Sequence, residues 1–161
     1  MQILSIDVID WMKVIAVLIA AIGLFMTANQ QRKANSQKRV EVISDALWKI
    51  QDDKEVREIY YRLEYHEFTY DQNFHGSDDE KYLDKLISLL DIIAKQYFSG
   101  HLSKKDVALI SYEYLIIYQN DDVQKYFSFL DSWFKNRGVK HPPFERFRKL
   151  GKIIENNHVE Y

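Results

Sequence analysis

Apolar residues are packed without interruption near the start of the chain and are spaced out afterwards. From Val14 to Met26 every residue is apolar or Gly, and no charge occurs from Val14 to Gln31, an uncharged run of 18 residues. A run of that length and polarity predicts a transmembrane helix. Eight residues between Val14 and Ala28 are Val, Ile, Leu or Phe, each worth about −0.3 to −0.6 kcal/mol at the centre of a membrane helix. Lys13 extends the span by lifting its ammonium to the headgroups while its stem stays in hydrocarbon, and Trp11 suits the interface beside it. The expected span is therefore about Val8 to Ala28. Asp7 and Asp10 precede the apolar run that starts at Val14 and Arg32, Lys33, Lys38 and Arg39 follow it, the reverse of a secretory signal, and no small-x-small cleavage site follows Phe25. The segment reads as a retained anchor. The positive-inside rule then places the N-terminus outside and everything from Arg32 onward in the cytoplasm, as a single-pass protein of the inner (cytoplasmic) membrane. Ala16, Ala20, Gly23 and Thr27 align small side chains on one face of this helix, where neighbouring spans could approach closely. Chance alignment of common membrane residues explains the same pattern.

Beyond the anchor, apolar positions recur with the 3.6-residue period, and no stretch alternates as a strand would. The expected fold is all-α, with one N-terminal transmembrane helix and then a compact cytosolic bundle of about six helices. Val40, Ile43, Leu47 and Ile50 define a first cytosolic helix, which either continues from the anchor or breaks at Asn35-Ser36. A second runs from about Lys54 to Phe68, capped by Asp52 or Asp53, with Val56, Ile59 and Leu63 inward. Tyr70 to Gly76 is a loop. Ser77-Asp78-Asp79-Glu80 has capping-box spacing and opens a long helix through Leu83, Leu86, Leu90, Ile93 and Tyr97, which Gly100 stops. Ser103, with Asp106 three residues on, starts a helix carrying Val107, Ile110, Tyr114 and Ile117. Asn120 caps the next, with Val123, Phe127, Leu130 and Phe134 inward until Gly138. Pro143 suits a first helical turn, and a last helix starts near Phe144 and ends at about Ile154. These elements divide the chain into a 1–39 anchor with its basic juxtamembrane segment and one 40–161 cytosolic helical domain for ligand binding or oligomerisation, large enough for a single core.

Composition narrows the chemistry. Cysteine is absent from the 161 residues, which removes disulfides, thiolate metal sites and thiol nucleophiles. The net charge of −2 excludes a DNA-coating protein, and DNA is not an expected partner. It divides into +3 over residues 1–39 and −5 over the remainder. His66-Glu67 begins like a zincin motif, but Tyr70 stands where the second imidazole ligand belongs. The other histidines lack metal-ligand spacing, so no metal is expected. Arg62 to His66 and Arg137 to His141 fall short of the R-x4-6-H spacing of helical ribonucleases. No Gly-rich phosphate loop occurs, and the acidic pairs Asp78-Asp79 and Asp121-Asp122 suit helix starts. No catalytic residues, no enzymatic activity and no cofactor are expected.

One stretch departs from the average. Lys135 to Lys152 holds seven basic residues against Glu145 alone, a net of +6. On a helix from Phe144, the residues Phe144, Phe147, Leu150, Gly151 and Ile154 fall on one arc, and Arg146, Arg148, Lys149 and Lys152 on the other. This basic face has three readings: a solvated face balanced by the acidic remainder, a contact with anionic headgroups, or a site for an anionic ligand. Local charge makes Lys140, His141, Arg146, Lys149 and Lys152 the candidate ligand-binding residues.

The layout of a short N-terminal span, a basic stop, WKIQDDKEVREIYYR from Trp48 to Arg62, IIAKQYFSGHLSKKDV from Ile92 to Val107 and PFERFRKLGKII from Pro143 to Ile154 resembles small single-pass bacterial proteins with a helical cytosolic domain. More specifically, it is similar to the CRISPR-associated membrane effector of type III systems that binds cyclic tetra-adenylate. That resemblance covers nearly the whole chain and rests on architecture. It implies an antiviral defence effector whose cytosolic domain forms a homo-oligomer, a tetramer, binds the cyclic oligoadenylate and perturbs the lipid bilayer through its transmembrane helices. The alternative reading is a non-enzymatic anchored interaction module that recruits a cytosolic protein partner.

Overall fold

A computed structural model of the protein describes residues 8–158, with side chains over 11–156. Asp7 and the side chains of Asp10 and His158 lie outside what is described. All regular structure among these residues is helical, in seven elements: α1 (Val8–Asp52), α2 (Lys54–Glu64), α3 (Asp78–Phe98), α4 (Lys104–Ala108), α5 (Ser111–Tyr118), α6 (Asp121–Asn136) and α7 (Glu145–His158). The all-α expectation holds. The chain divides into two units, residues 1–38 and residues 39–161. The expected alternative of a break at Asn35-Ser36 is not realised, because both residues lie inside α1.

In the first unit, α1 is long and apolar enough to cross a membrane. Its best 18-residue window has a mean hydropathy of 2.1 and buries nothing within the protein. Ala16, Ala20, Gly23 and Thr27 are all exposed. The Thr27 hydroxyl donates to the Gly23 carbonyl at 2.9 Å, which satisfies its one polar group inside its own helix, as an apolar surrounding requires.

The second unit is organised on α3, whose Leu83, Leu86, Ile87, Leu90, Ile93 and Ala94 are buried. It packs against α2 and α7, and α5 packs against both α2 and α7. Of the expected inward sets, Val56, Ile59 and Leu63 of α2 are all buried; in α1 Ile43 and Ile50 are buried, Leu47 is partly buried and Val40 is exposed; in α6 Val123, Phe127 and Leu130 are buried and Phe134 is partly so. No polar or charged residue is fully buried among those described. Ser77, Ser103 and Asn120 accept backbone N–H groups at the starts of α3, α4 and α6, the capping that their positions predict.

Three boundaries depart from expectation, each for a local reason. Helix α2 stops at Glu64, not Phe68. His66 takes φ 59°, and the N–H groups of Glu67 and Phe68 turn back to the Arg62 carbonyl at 2.7 and 3.0 Å. This is a left-handed helix stop of the kind usually marked by Gly or Asn, and with His there the sequence carries no visible stop. The helix expected from Ser103 is broken into α4 and α5, where Leu109 and Ile110 bond three residues back, to Asp106 and Val107. The tightened turn leaves Val107, Ile110, Tyr114 and Ile117 all buried, so the inward set is right although the single helix is not. Pro143 does not sit in a helical turn. Phe144 follows it with φ 61°, α7 begins at Glu145, and it continues past Ile154 to His158.

Helices α5 and α7 meet closely. The Tyr114 ring stacks on Phe147 at 4.6 Å, and its hydroxyl donates to the Phe147 carbonyl at 3.1 Å. Burial pushes the Tyr114 phenol far above its ordinary pKa, so it remains a donor. One turn later the Tyr118 ring lies against Gly151, where an added Cβ would overlap the ring. Gly151 is thus required by the close approach.

Candidate functional site

The five candidate ligand-binding residues lie on helix α7 and in the turn before it. Helix α7 realises most of the two expected arcs: Phe147, Leu150, Gly151 and Ile154 are buried and Arg146, Lys149 and Lys152 are exposed, but Phe144 lies before the helix and Arg148 is partly buried. The cations, however, meet carboxylates of the chain itself. Glu145 holds Lys149 at 2.6 Å and His141 at 3.2 Å. These two contacts, Lys149 first, depress the Glu145 pKa. Arg148 grips both carboxylate oxygens of Asp131 at 2.8 Å, and Arg146 approaches Asp91 at 3.9 Å. The Arg137 guanidinium lies 3.4 Å from the centre of the Trp133 ring. Of the five candidate ligand residues, three are therefore engaged by acidic side chains. Lys140 and Lys152 are exposed and form no ion pair among the described residues.

Asp91 has a second task that sequence reading missed. Its Oδ1 accepts the Phe147 N–H at 2.8 Å. The first N–H groups of a helix have no partner within it. Here α7 takes one from α3, 56 residues away in sequence, which no local pattern could reveal.

A different surface stands out on the other side of the sequence ledger. On α2 and its end, Tyr61 and Tyr65 are 44% and 65% exposed, with rings stacked 6.0 Å apart. Tyr112, on α5, is 60% exposed, and its hydroxyl donates to Glu64 at 3.1 Å. Tyr112 lines two depressions that share it and Glu64; Tyr61 lines the smaller, and Tyr65 stacks on Tyr61 outside both. One, of about 700 Å³, includes Leu63, Phe68, Leu115 and Ile116; the other, of about 220 Å³, includes Leu47, Tyr60 and Glu113. Desolvation first, then Glu64 and Glu113, raise the Tyr60 phenol well above its usual pKa, so it stays neutral at the wall. Glu64, Glu113, Asp121 and Asp122 make the rim acidic. The signal for this face was present in the sequence. In YYRLEY and SYEYLIIY the residues Tyr61, Tyr65 and Tyr112 fall off the inward positions, so the core has no use for them.

No set of three or more metal-ligating side chains is gathered among the described residues. No protein-family model, curated protein or solved structure matches the chain.

Proposed function

We propose that the protein is a membrane-anchored interaction module whose cytoplasmic helical domain binds a protein partner through the Tyr61, Tyr65 and Tyr112 face and holds it at the inner membrane. The observation that carries this reading is the exposure of three tyrosines on one face, two of which, Tyr61 and Tyr112, line two adjoining depressions that share Glu64 and Tyr112. Tyrosine and tryptophan dominate the energetic centres of protein interfaces, because they bury much surface at small entropic cost. The acidic rim favours a partner that is basic around an apolar centre. The anchor supplies the tether, and the charges that flank it supply the orientation.

The test places a photo-cross-linking residue at Tyr112 of the full chain in native membranes, with a control at Ser128 on α6. A stoichiometric adduct from position 112 that is absent from 128, and that Tyr65→Ala reduces at least about tenfold, supports the reading. Equal or absent cross-linking at the two positions contradicts it.

A second reading retains the effector that binds cyclic tetra-adenylate and acts on the bilayer. It is favoured by Lys140 and Lys152, whose charges meet no ion-pair partner among the described residues, while the paired cations weigh against it. Calorimetry of the detergent-solubilised chain with cyclic tetra-adenylate decides it: saturable heat lost in Lys152→Glu supports the effector, and no heat removes it.

A further inference from the structure

A third depression, of about 440 Å³, lies between α3, α6 and the turn before α7. Its aromatic lining is His75, Tyr126, Phe129, Trp133, Phe134 and Phe144, and its charged groups come from Glu80 and Asp84. No Lys or Arg lines it. The loop that carries His75 is fixed on both sides of the ring: Nδ1 meets Glu80 at 3.0 Å and Nε2 meets the Tyr70 hydroxyl at 2.9 Å. The His75 ring also packs on Phe129 at 4.0 Å.

The two carboxylates have different surroundings. Glu80 accepts the Gly76 N–H at 2.6 Å as well as His75. Burial works against its ionisation, but those hydrogen bonds outweigh it and hold its pKa below the usual carboxylate range. Asp84 is half-buried, accepts the Tyr126 hydroxyl at 2.9 Å, and has no ion pair among the described residues. Burial, with Glu80 adding to it against the Tyr126 hydrogen bond, raises its pKa. A carboxylate drawn partly out of water with no counter-ion is stabilised by any cation that reaches it. Aromatic faces around it attract a cation with an apolar skin more than a small hydrated one.

We propose that this groove binds a small organic ammonium ion, its cationic head against Asp84 and its alkyl surface among Tyr126, Phe134 and Phe144. The occupant follows from charge complementarity: two carboxylates and an aromatic wall, with the nearby cations already engaged, His75 by Glu80 and Arg137 over the Trp133 ring. Ring faces and a carboxylate together select for both the charge and the apolar bulk of an alkylated ammonium, which water solvates less strongly than a metal ion. This site is separate from the tyrosine face, whose depressions share no residue with it.

The probe is choline chloride, added to the full chain in a maltoside detergent and followed by calorimetry. Its uncharged carbon isostere, 3,3-dimethylbutan-1-ol, is the comparison. Choline should bind saturably, and the isostere at least about tenfold more weakly, since it keeps the shape and loses the charge. Asp84→Asn should weaken choline to the level of the isostere while leaving the helical circular dichroism unchanged. Phosphocholine should bind more weakly than choline, because its phosphate meets Glu80 and Asp84. Equal binding of choline and isostere, no binding of choline, or a preference for phosphocholine would each overturn the proposal. The isostere comparison needs no variant, so it reads out even if Asp84→Asn misfolds.

Discussion

His66 occupies a left-handed backbone position with its side chain exposed, a conformation that costs an L-residue about 1–2 kcal/mol and glycine little. Replacing it by glycine also loosens the unfolded chain, which offsets part of the gain. His66→Gly should therefore raise stability by about 0.5–1 kcal/mol, read as an increased midpoint in denaturant with unchanged slope. A loss of stability would mean that the imidazole makes a contact in solution that outweighs the strain. The carboxylates of the ammonium groove give a second residue-scale prediction, with opposite signs. The folded pKa of Asp84 is raised, so its contribution to stability falls as pH rises through that value. Glu80 is depressed, so its contribution is complete above the ordinary carboxylate pKa and is lost as pH falls through the lowered one. Asp84→Asn should be at least as stable as the parent at neutral pH, and the difference should shrink on acidification. Glu80→Gln should be less stable at neutral pH and should converge with the parent in acid. Melting curves across pH, with His75, Tyr70 and Tyr126 as the other titratable groups facing the pair, check both signs.

At the scale of elements, helix α7 depends on a neighbour for its start. Its first turn lacks a capping side chain of its own among the described residues, and Asp91 from α3 supplies an acceptor to Phe147. Asp91→Ala should cost about 1–2 kcal/mol, as loss of a cap does, and should speed hydrogen exchange at the Phe147 amide. Arg146→Ala should change little, because its 3.9 Å approach to Asp91 is made by an exposed side chain and such pairs contribute about 0–1 kcal/mol. The same contrast explains what could be read from sequence. Inward positions were legible from Ile43 onward, since burial of Leu83, Leu90 and Ile93 repeats at helical spacing, whereas Val40, which shares that spacing, is exposed. Helix starts were legible at Ser77, Ser103 and Asn120, where one side chain caps its own helix. Helix ends at His66 and Ala108 were not, because one lacks glycine and the other depends on a tightened turn with no residue signature. The basic segment was legible as charge but not as pairing: Asp131 and Asp91, which meet Arg148 and Arg146, lie in other helices.

For the whole molecule, the pairing of its cations moves the centre of interest from the basic arc of α7 to the tyrosine face of α2 and α5. Only tertiary structure could bring Tyr61, Tyr65 and Tyr112 to one face, with Tyr61 and Tyr112 at two adjoining depressions, although each was visible as an aromatic residue away from the inward set. The interaction reading needs the helical domain to meet its partner at the membrane, and therefore needs the apolar part of α1 to lie in the bilayer with the domain inside the cell. The absence of cysteine makes this directly measurable, because a single introduced thiol can be read without background. Ser132→Cys, at an exposed position of α6, should resist alkaline carbonate extraction with the membrane fraction and should react with a membrane-impermeant maleimide only after the cells are broken. Release into the supernatant, or labelling of intact cells, would contradict the account.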